Sequence, residues 1–179
     1  TSKGHILEMP KLKTILDLFI NVFRSFPFII LMILVFPLSR FIVGTTIGST
    51  ATIVPLSIAA APFVARLIEG AIKEVDGGLI ELSKSLGANN WEIIFKVLIP
   101  EAMPSLVHSF TITIISLIGY SAMAGAIGGG GLGDLAIRYG YQRFQTDIMI
   151  ISVVVIIIIV QVIQVIGDLI VKNIKKNRK

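Results

Sequence analysis

Long stretches without a charged residue constrain this chain more than any other feature. Three of them are twenty residues or longer, and they lie at 41–65, 102–133 and 148–167. Each is long enough for a helix of about 20 residues to cross the hydrocarbon core of a membrane. A fourth stretch, 25–39, reaches spanning length if Arg24 extends its charge toward the headgroups. Only 15% of the residues are charged, against about 25% in a soluble domain. The sequence therefore predicts a polytopic membrane protein.

We predict an all-α bundle in a single domain, 1–179. Its four membrane-spanning helices are expected at about 14–40, 49–72, 103–127 and 147–170. A short turn joins the first two helices, a polar loop at 73–102 joins the next two, and a Gly-rich return at 128–146 precedes the last. Prolines within the first two spans either bend a transport path or serve helix packing, and both readings stay open.

The basic residues predict the orientation of the chain. Lys and Arg remain preferentially on the cytoplasmic side of a membrane. If the tail KNIKKNRK is cytoplasmic, the loop 73–102 is cytoplasmic as well. Thirteen of the 16 basic residues then lie on or near that side, leaving only Arg40, Arg138 and Arg143 outside. The basic pI near 9.6 is explained by this surface.

The polar loop 73–102 contains two candidate amphipathic helices. In the first, four residues share one face: Leu79, Leu82, Ser83 and Leu86. Gly87 is expected to take the left-handed conformation that ends this helix, and Asn89 or Asn90 to cap the next. The second has apolar residues at i, i+3, i+4 and i+7: Trp91, Ile94, Phe95 and Leu98. Pro100 is expected to end it.

A glycine turn between two short helices is also typical of a DNA-binding helix-turn-helix. The loop is tethered at both ends to membrane spans, and its acidic residues outnumber its basic ones. Phosphate contacts require the reverse charge balance. No nucleic acid partner is therefore expected.

The same loop resembles the cytoplasmic motif of the permease subunits of ATP-binding-cassette importers. That motif is Glu-Ala-Ala, three residues, Gly, nine residues, then Ile-x-Leu-Pro. This chain has, at the same spacing, Glu81-Leu82-Ser83, Gly87, Val97, Ile99 and Pro100. The glycine and the proline match, whereas both alanines are replaced. The resemblance implies a coupling helix seated in a cleft of a separate ATPase, through Glu81, Leu82, Ser83, Leu86, Gly87, Ala88, Asn89 and Pro100.

Three further segments resemble the permeases of methionine importers: NVFRSFPFIILMI, GTTIGSTATIVPLSIAAAPFVAR and GYSAMAGAIGGGGLGDLAIRYGY. Members of that subfamily have five spans, so the resemblance implies a further helix before Thr1. It implies a bacterial inner-membrane location and methionine as substrate, with both the L and the D enantiomer as candidates and another small amino acid or organic solute as the alternative. The implied partners are a second copy of the permease, ATPase subunits that bind ATP and Mg, an extracytoplasmic substrate-binding protein and the lipid bilayer. No cofactor is expected on this chain.

Five residues are candidates for a transport path or gate: Met103, His108, Met123, Gly125 and Gly129. Methionine side chains are pliable linings or core filler. A histidine within a span marks a pathway or bonds a neighbouring helix, and we favour the second. Glycines at every fourth position from 125 to 133 let helices approach closely, either for simple packing or at a permease dimer interface or outer gate.

The sequence lacks the residues that several other functions require. The run GGGGLG at 128–133 fits a dinucleotide pattern only formally, because it follows a membrane helix rather than a strand. The sequence has no phosphate-binding loop, no cysteine and only two histidines, so neither ATP hydrolysis, a metal site nor a catalytic triad is expected. The rival is a gradient-driven secondary transporter, which usually holds charged residues within the bilayer. The predicted spans have essentially none away from their ends.

Overall fold

The computed structural model describes residues 9–176 as a bundle of helices, with no strand in that range. The helices, in chain order, are α1 Pro10–Ser25, α2 Phe28–Val43, α3 Ser49–Lys73, α4 Gly77–Ser85, α5 Asn90–Gly125, α6 at 131–141, and α7 Thr146–Lys176. Helix α6 consists of a turn, Gly131–Asp134, that continues as the π-helical segment Leu135–Tyr141. The predicted all-α membrane bundle is confirmed.

Three helices of the described range, α3, α5 and α7, are long and apolar enough to cross a membrane. A fourth span results if α1 and α2 count as one broken span. The predictions at 49–72 and 147–170 are confirmed by α3 and by α7, although α7 continues six residues further, to Lys176.

The prediction of one continuous first span at 14–40 is wrong. The helix stops at Ser25, and α2 leaves at 108° to α1. Phe26 and Pro27 are both extended, with ψ angles of 129° and 131°. The proline ring excludes the helical conformation from the preceding residue, so Phe26 cannot continue α1. By contrast, Pro37 lies inside α2 without ending it.

The third span begins earlier than predicted. Instead of starting near 103, α5 runs without interruption from Asn90 to Gly125, and Pro100 does not end it. A π-helical segment, Ile93–Leu98, ends two residues before the proline, and the Ile99 N–H donates to the Ile94 carbonyl. This wider i→i+5 pattern shifts the helix register, so the segment accommodates a residue that lacks an N–H.

The Gly-rich return at 128–146 is also more ordered than a loop. It folds back as α6, which packs against both α5 and α7. Gly128, Gly130 and Gly131 have φ of 87°, 76° and 79°, a left-handed conformation that glycine adopts without strain. These three glycines turn the chain between α5 and α6.

Small and hydroxyl-bearing residues form the contact between the long helices. Ser109, Thr111 and Thr113 of α5 are buried, and both threonine hydroxyls donate to carbonyls four residues earlier. In the described part of α7, the buried residues are Ser152 and Gly167. Many of the large apolar side chains of α7 point outward. Small residues inside and large apolar residues outside are typical of a bundle surrounded by lipid.

Candidate functional site

The loop between α3 and α5 forms a compact projection whose base is closed by a side-chain hydrogen bond. The Ser105 hydroxyl of α5 donates to the carboxylate of Glu74, which follows α3 directly. Near this base, the Ser109 hydroxyl donates to the Leu67 carbonyl over 3.4 Å. The helix that enters the loop is therefore bonded to the helix that leaves it.

Helix α4 forms the first half of the projection. The Asp76 carboxylate caps it by accepting the Gly78 N–H at 2.8 Å. At the other end, the Gly87 N–H donates to the Lys84 carbonyl and the Ala88 N–H to the Ser83 carbonyl, at 3.0 and 3.1 Å. These two bonds form a Schellman motif, and Gly87 has the left-handed φ of 81° that the motif requires. The predicted glycine stop is confirmed.

Asn89 starts α5 with a capping box. Its side-chain oxygen accepts the Glu92 N–H at 2.9 Å, and its own N–H donates to the Glu92 carboxylate at 3.1 Å. The second carboxylate oxygen of Glu92 pairs with the Lys96 ammonium at 3.0 Å. The prediction of a cap at Asn89 or Asn90 is thereby settled in favour of Asn89, because this side chain satisfies an N–H that has no partner within the helix.

The apolar face predicted for Trp91, Ile94, Phe95 and Leu98 does not pack as one surface. The buried residues of this segment are Ile93 and Leu98, five apart. That spacing follows the i→i+5 hydrogen bonds of the π-helical segment rather than the α-helical repeat. Trp91 and Phe95 stack on each other, with ring centroids 6.0 Å apart, and remain 68% and 60% exposed.

The tip of the projection is apolar and open. No residue of α4 is buried, and Leu82 and Leu86 are 58% and 79% exposed. An open groove of about 340 Å³ separates the end of α4 from the start of α5, with Glu92 and Lys96 on its far wall. Glu81 is exposed beside it, and Pro100 is exposed on the shaft of α5. The structure thus collects Glu81, Leu82, Ser83, Leu86, Gly87, Ala88 and Asn89 on one projection, with Pro100 nearer its base.

The candidate path residues are not brought together. Met103 and Met123 lie 20 residues apart on α5, about 30 Å along the axis and on sides about 160° apart. Both are partly exposed. His108 is exposed, and it makes no side-chain hydrogen bond within residues 9–176, so the expected bond to a neighbouring helix is not formed among these residues.

The glycines of the return are in close backbone contact. A methyl group on Gly125 would overlap the backbone of Asp134, and one on Gly133 would overlap the backbone of Ala122. A methyl group on Gly129 would lie 2.7 Å from the Ala124 carbonyl oxygen and 2.9 Å from Thr52. Within this chain these glycines serve the packing of α6 and α3 onto the end of α5.

One charged cluster was not anticipated from the sequence. Arg66 of α3 contacts Glu69 at 2.6 Å, Asp17 of α1 at 3.0 Å and the Asn21 side-chain oxygen at 3.0 Å. Glu69 in turn pairs with Lys73 at 2.7 Å. The spacing of Arg66, Glu69 and Lys73 along one helix could have indicated their pairing. No comparable signal joins Arg66 to α1.

No group of three or more His, Cys, Asp or Glu residues that could hold a metal ion occurs in the part of the chain that the structure describes. An apolar cavity of about 550 Å³ lies between α3, α5, α6 and α7, and its polar side chains are the hydroxyls of Ser57 and Ser121. The described residues that line this cavity include no histidine, cysteine or carboxylate that could take part in covalent or redox chemistry. The most exposed large apolar side chain of the loop is that of Leu86, at the tip of the projection.

Comparison with known proteins agrees with this architecture. The family described as "Binding-protein-dependent transport system inner membrane component" matches residues 4–179. The "Probable D-methionine transport system permease protein MetI" of Vibrio cholerae is 52% identical over 174 residues, which are 97% of this chain and 77% of that protein. The "Methionine import system permease protein MetP" of Bacillus subtilis is 50% identical over 176 residues, 98% of this chain and 79% of that protein.

A solved structure gives the same result in three dimensions. A chain of the MetNI methionine ABC transporter in an inward-facing conformation superimposes with a TM-score of 0.94 at 48% identity. The superposition covers 97% of this chain and 81% of that one. With its apolar helices, its projecting loop and a family match over nearly every residue, this chain belongs to the inner-membrane components of binding-protein-dependent transport systems.

Proposed function

We propose that this chain is the membrane permease subunit of an ATP-driven methionine importer, in which a separate ATPase docks on the projection around Gly87. The substrate assignment rests on a sequence identity of 50–52%, over almost the whole chain, with two permeases named for methionine transport. The observation that carries the docking site is an exposed apolar tip, Leu82 and Leu86, on a base that is bonded to both flanking helices.

The mechanism follows from the way the projection is held. An ATPase that grips Leu86 and the neighbouring groove would move α4 as one piece, because the Schellman motif and the capping box fix both sides of the tip. The hydrogen bond between Glu74 and Ser105 then passes that motion to α3 and α5 together. Access to the transport path changes as these helices tilt.

The remaining assignments belong to the same proposal. The permease works as a pair of copies with ATPase subunits beneath it and a substrate-binding protein on the other side. ATP and Mg bind on the ATPase, and this chain holds no cofactor. The C-terminus and the projection lie on the cytoplasmic side, as the basic residues indicate.

Docking is tested by co-purification. Leu86→Ser is expected to reduce the amount of ATPase recovered with the full-length permease, because the substitution removes an apolar side chain that is 79% exposed at the tip. Phe144→Ser is the matched control, since Phe144 is 88% exposed in the turn at the other end of the bundle. Equal recovery with both variants would refute docking at the tip.

The substrate is tested by uptake. Cells that lack this subunit are expected to lose ATP-dependent uptake of radiolabelled L-methionine, and the intact gene is expected to restore it. D-methionine and other small amino acids, offered as competitors, define the range of substrates. Unchanged methionine uptake would remove the substrate assignment, and uptake by the purified permease alone on an ion gradient would indicate a secondary transporter.

A further inference from the structure

Helix α1 has no part in the mechanism above, and its orientation is unusual. The angle between α1 and α2 is 108°, close to perpendicular, because Phe26 and Pro27 between them are extended. Helix α2 is apolar, with Arg40 as the charged residue in its last turn. If α2 stands across the membrane, α1 must lie near the plane of the membrane. Four of its 16 residues are charged, against one of the 16 in α2, so α1 is poorly suited to crossing the hydrocarbon core on its own.

The two faces of α1 have opposite characters, and the polar one faces the protein. Asp17 and Asn21 each contact the guanidinium of Arg66 on α3 at 3.0 Å. The large apolar side chains instead point away from the bundle, and six of them are between 42% and 66% exposed: Leu12, Ile15, Leu16, Leu18, Phe19 and Val22. In water, an isolated apolar face of this size would be unfavourable.

Charge and continuity indicate what covers this face. Lys11, Lys13 and Arg24 are basic, and the acidic residue of the helix, Asp17, is shared between Arg66 at 3.0 Å and Lys13 at 3.9 Å, so the basic charge of the helix exceeds its acidic charge. The apolar face of α1 is continued by exposed residues of α2, among them Ile30 and Ile33, at 55% each. An apolar face with basic residues at its edges is typical of helices that lie in the headgroup region of a membrane containing anionic lipid.

We infer that α1 is an in-plane membrane helix, with Phe19 and its apolar neighbours among the upper acyl chains and its basic residues on anionic phospholipid headgroups. This inference rests on the proposed function only for the choice of membrane leaflet, which is the cytoplasmic one. Arg66 holds this helix to α3, and its 2.6 Å contact with Glu69 continues the connection toward the projection. The helix therefore fixes the depth at which the end of α3 sits in the membrane.

The absence of cysteine from the sequence permits a direct test with single spin labels. Phe19→Cys is labelled in the complete transporter, reconstituted in vesicles of phosphatidylethanolamine and phosphatidylglycerol. Collision rates with oxygen and with a water-soluble nickel complex then report the depth of the label. Ile33→Cys serves as the reference for lipid, because its side chain is 55% exposed on the apolar helix α2. Lys176→Cys serves as the reference for water, because it is exposed at the end of α7, beyond the charge-free run 148–167 and outside the tip on which the ATPase is proposed to dock.

The label at Phe19 is expected to be accessible to oxygen and shielded from nickel, at a depth shallower than that of Ile33. Access to nickel equal to that of Lys176 would overturn the inference. Shielding from both reagents would also overturn it, since protein would then cover the face, and so would dipolar coupling between the labels of two copies. Val22→Cys, on the same face, provides a second reading if Phe19→Cys assembles poorly.

The lipid charge is varied in the same experiment. When phosphatidylcholine replaces phosphatidylglycerol, the label at Phe19 is expected to become more accessible to nickel, whereas the label at Ile33 stays unchanged. No difference would overturn the preference for anionic lipid. Methionine uptake and ATPase recovery, measured in parallel on the same preparations, show separately whether the proposed function holds.

Discussion

The Ser105 hydroxyl donates a hydrogen bond to the Glu74 carboxylate, and this bond joins the helix that leads into the projection to the helix that leads out of it. The two residues are 31 positions apart in the sequence. A hydrogen bond from a neutral hydroxyl to a charged carboxylate is stronger than one between two neutral groups, although exposure to solvent weakens it.

We expect Ser105→Ala to reduce coupling without preventing assembly. The ATPase should still be recovered with the permease, whereas less methionine should be imported for each ATP hydrolysed, since the bond from α5 to Glu74 is lost and the weaker one from Ser109 to Leu67 remains. The measurement is the ratio of uptake to phosphate release in proteoliposomes. Ser85→Ala is the control, because its hydroxyl bonds only the Glu81 carbonyl within α4. An unchanged ratio in Ser105→Ala would contradict this role.

The backbone at Gly87 gives a second prediction. Gly87 and Gly77 both have open space where a side chain would begin, but only Gly87 has a left-handed φ, of 81°. An alanine at Gly87 would cost about 1–2 kcal/mol in that conformation. We therefore expect Gly87→Ala to weaken ATPase binding by about tenfold, and Gly77→Ala to leave it nearly unchanged. Titration of the purified ATPase onto permease in nanodiscs measures both, and equal affinities would show that the turn is not held rigidly.

The contact between Gly167 and Thr111 gives a third prediction, about stability. A methyl group on Gly167 would overlap the Thr111 side chain, so Gly167→Ala should separate α7 from α5 and cost about 1–3 kcal/mol. Gly119→Ala is the matched control in a long helix, because nothing lies within 4 Å of the added methyl group. It should be neutral or slightly stabilising.

Thermal unfolding in detergent measures both variants. Adding Thr111→Ala to Gly167→Ala should recover part of the loss, because it removes the two atoms of Thr111 that extend beyond its Cβ. A loss in Gly119→Ala as large as that in Gly167→Ala would indicate a general intolerance of alanine rather than this contact.

Local rules allowed the tip of the projection to be predicted from the sequence. Gly87 ends α4 and Asn89 begins α5, as the preferences of glycine and asparagine at helix ends require. The extent of α3 and most of α7 could likewise be predicted, because a long charge-free run in a membrane has few alternatives to a helix.

Other features depend on backbone geometry that composition does not reveal. The charge-free run around 25–39 suggested a single span, but the effect of Pro27 on Phe26 divides it into two helices. The exposure of Trp91 and Phe95 follows from the π-helical register that precedes Pro100, and an α-helical repeat cannot anticipate it. The bonds from Ser105 to Glu74 and from Arg66 to Asp17 join distant parts of the chain, and only the fold brings them together.

The uninterrupted course of α5 has a mechanical consequence. Its 36 residues extend for about 54 Å, well beyond the thickness of the hydrocarbon core. If the ATPase docks on the projection as proposed, α5 is a single lever from that docking site to the glycine turn at the other end of the helix. A rotation of about 10° at one end would displace the other by roughly 9 Å, enough to open or shut a passage for an amino acid without any relay between separate parts.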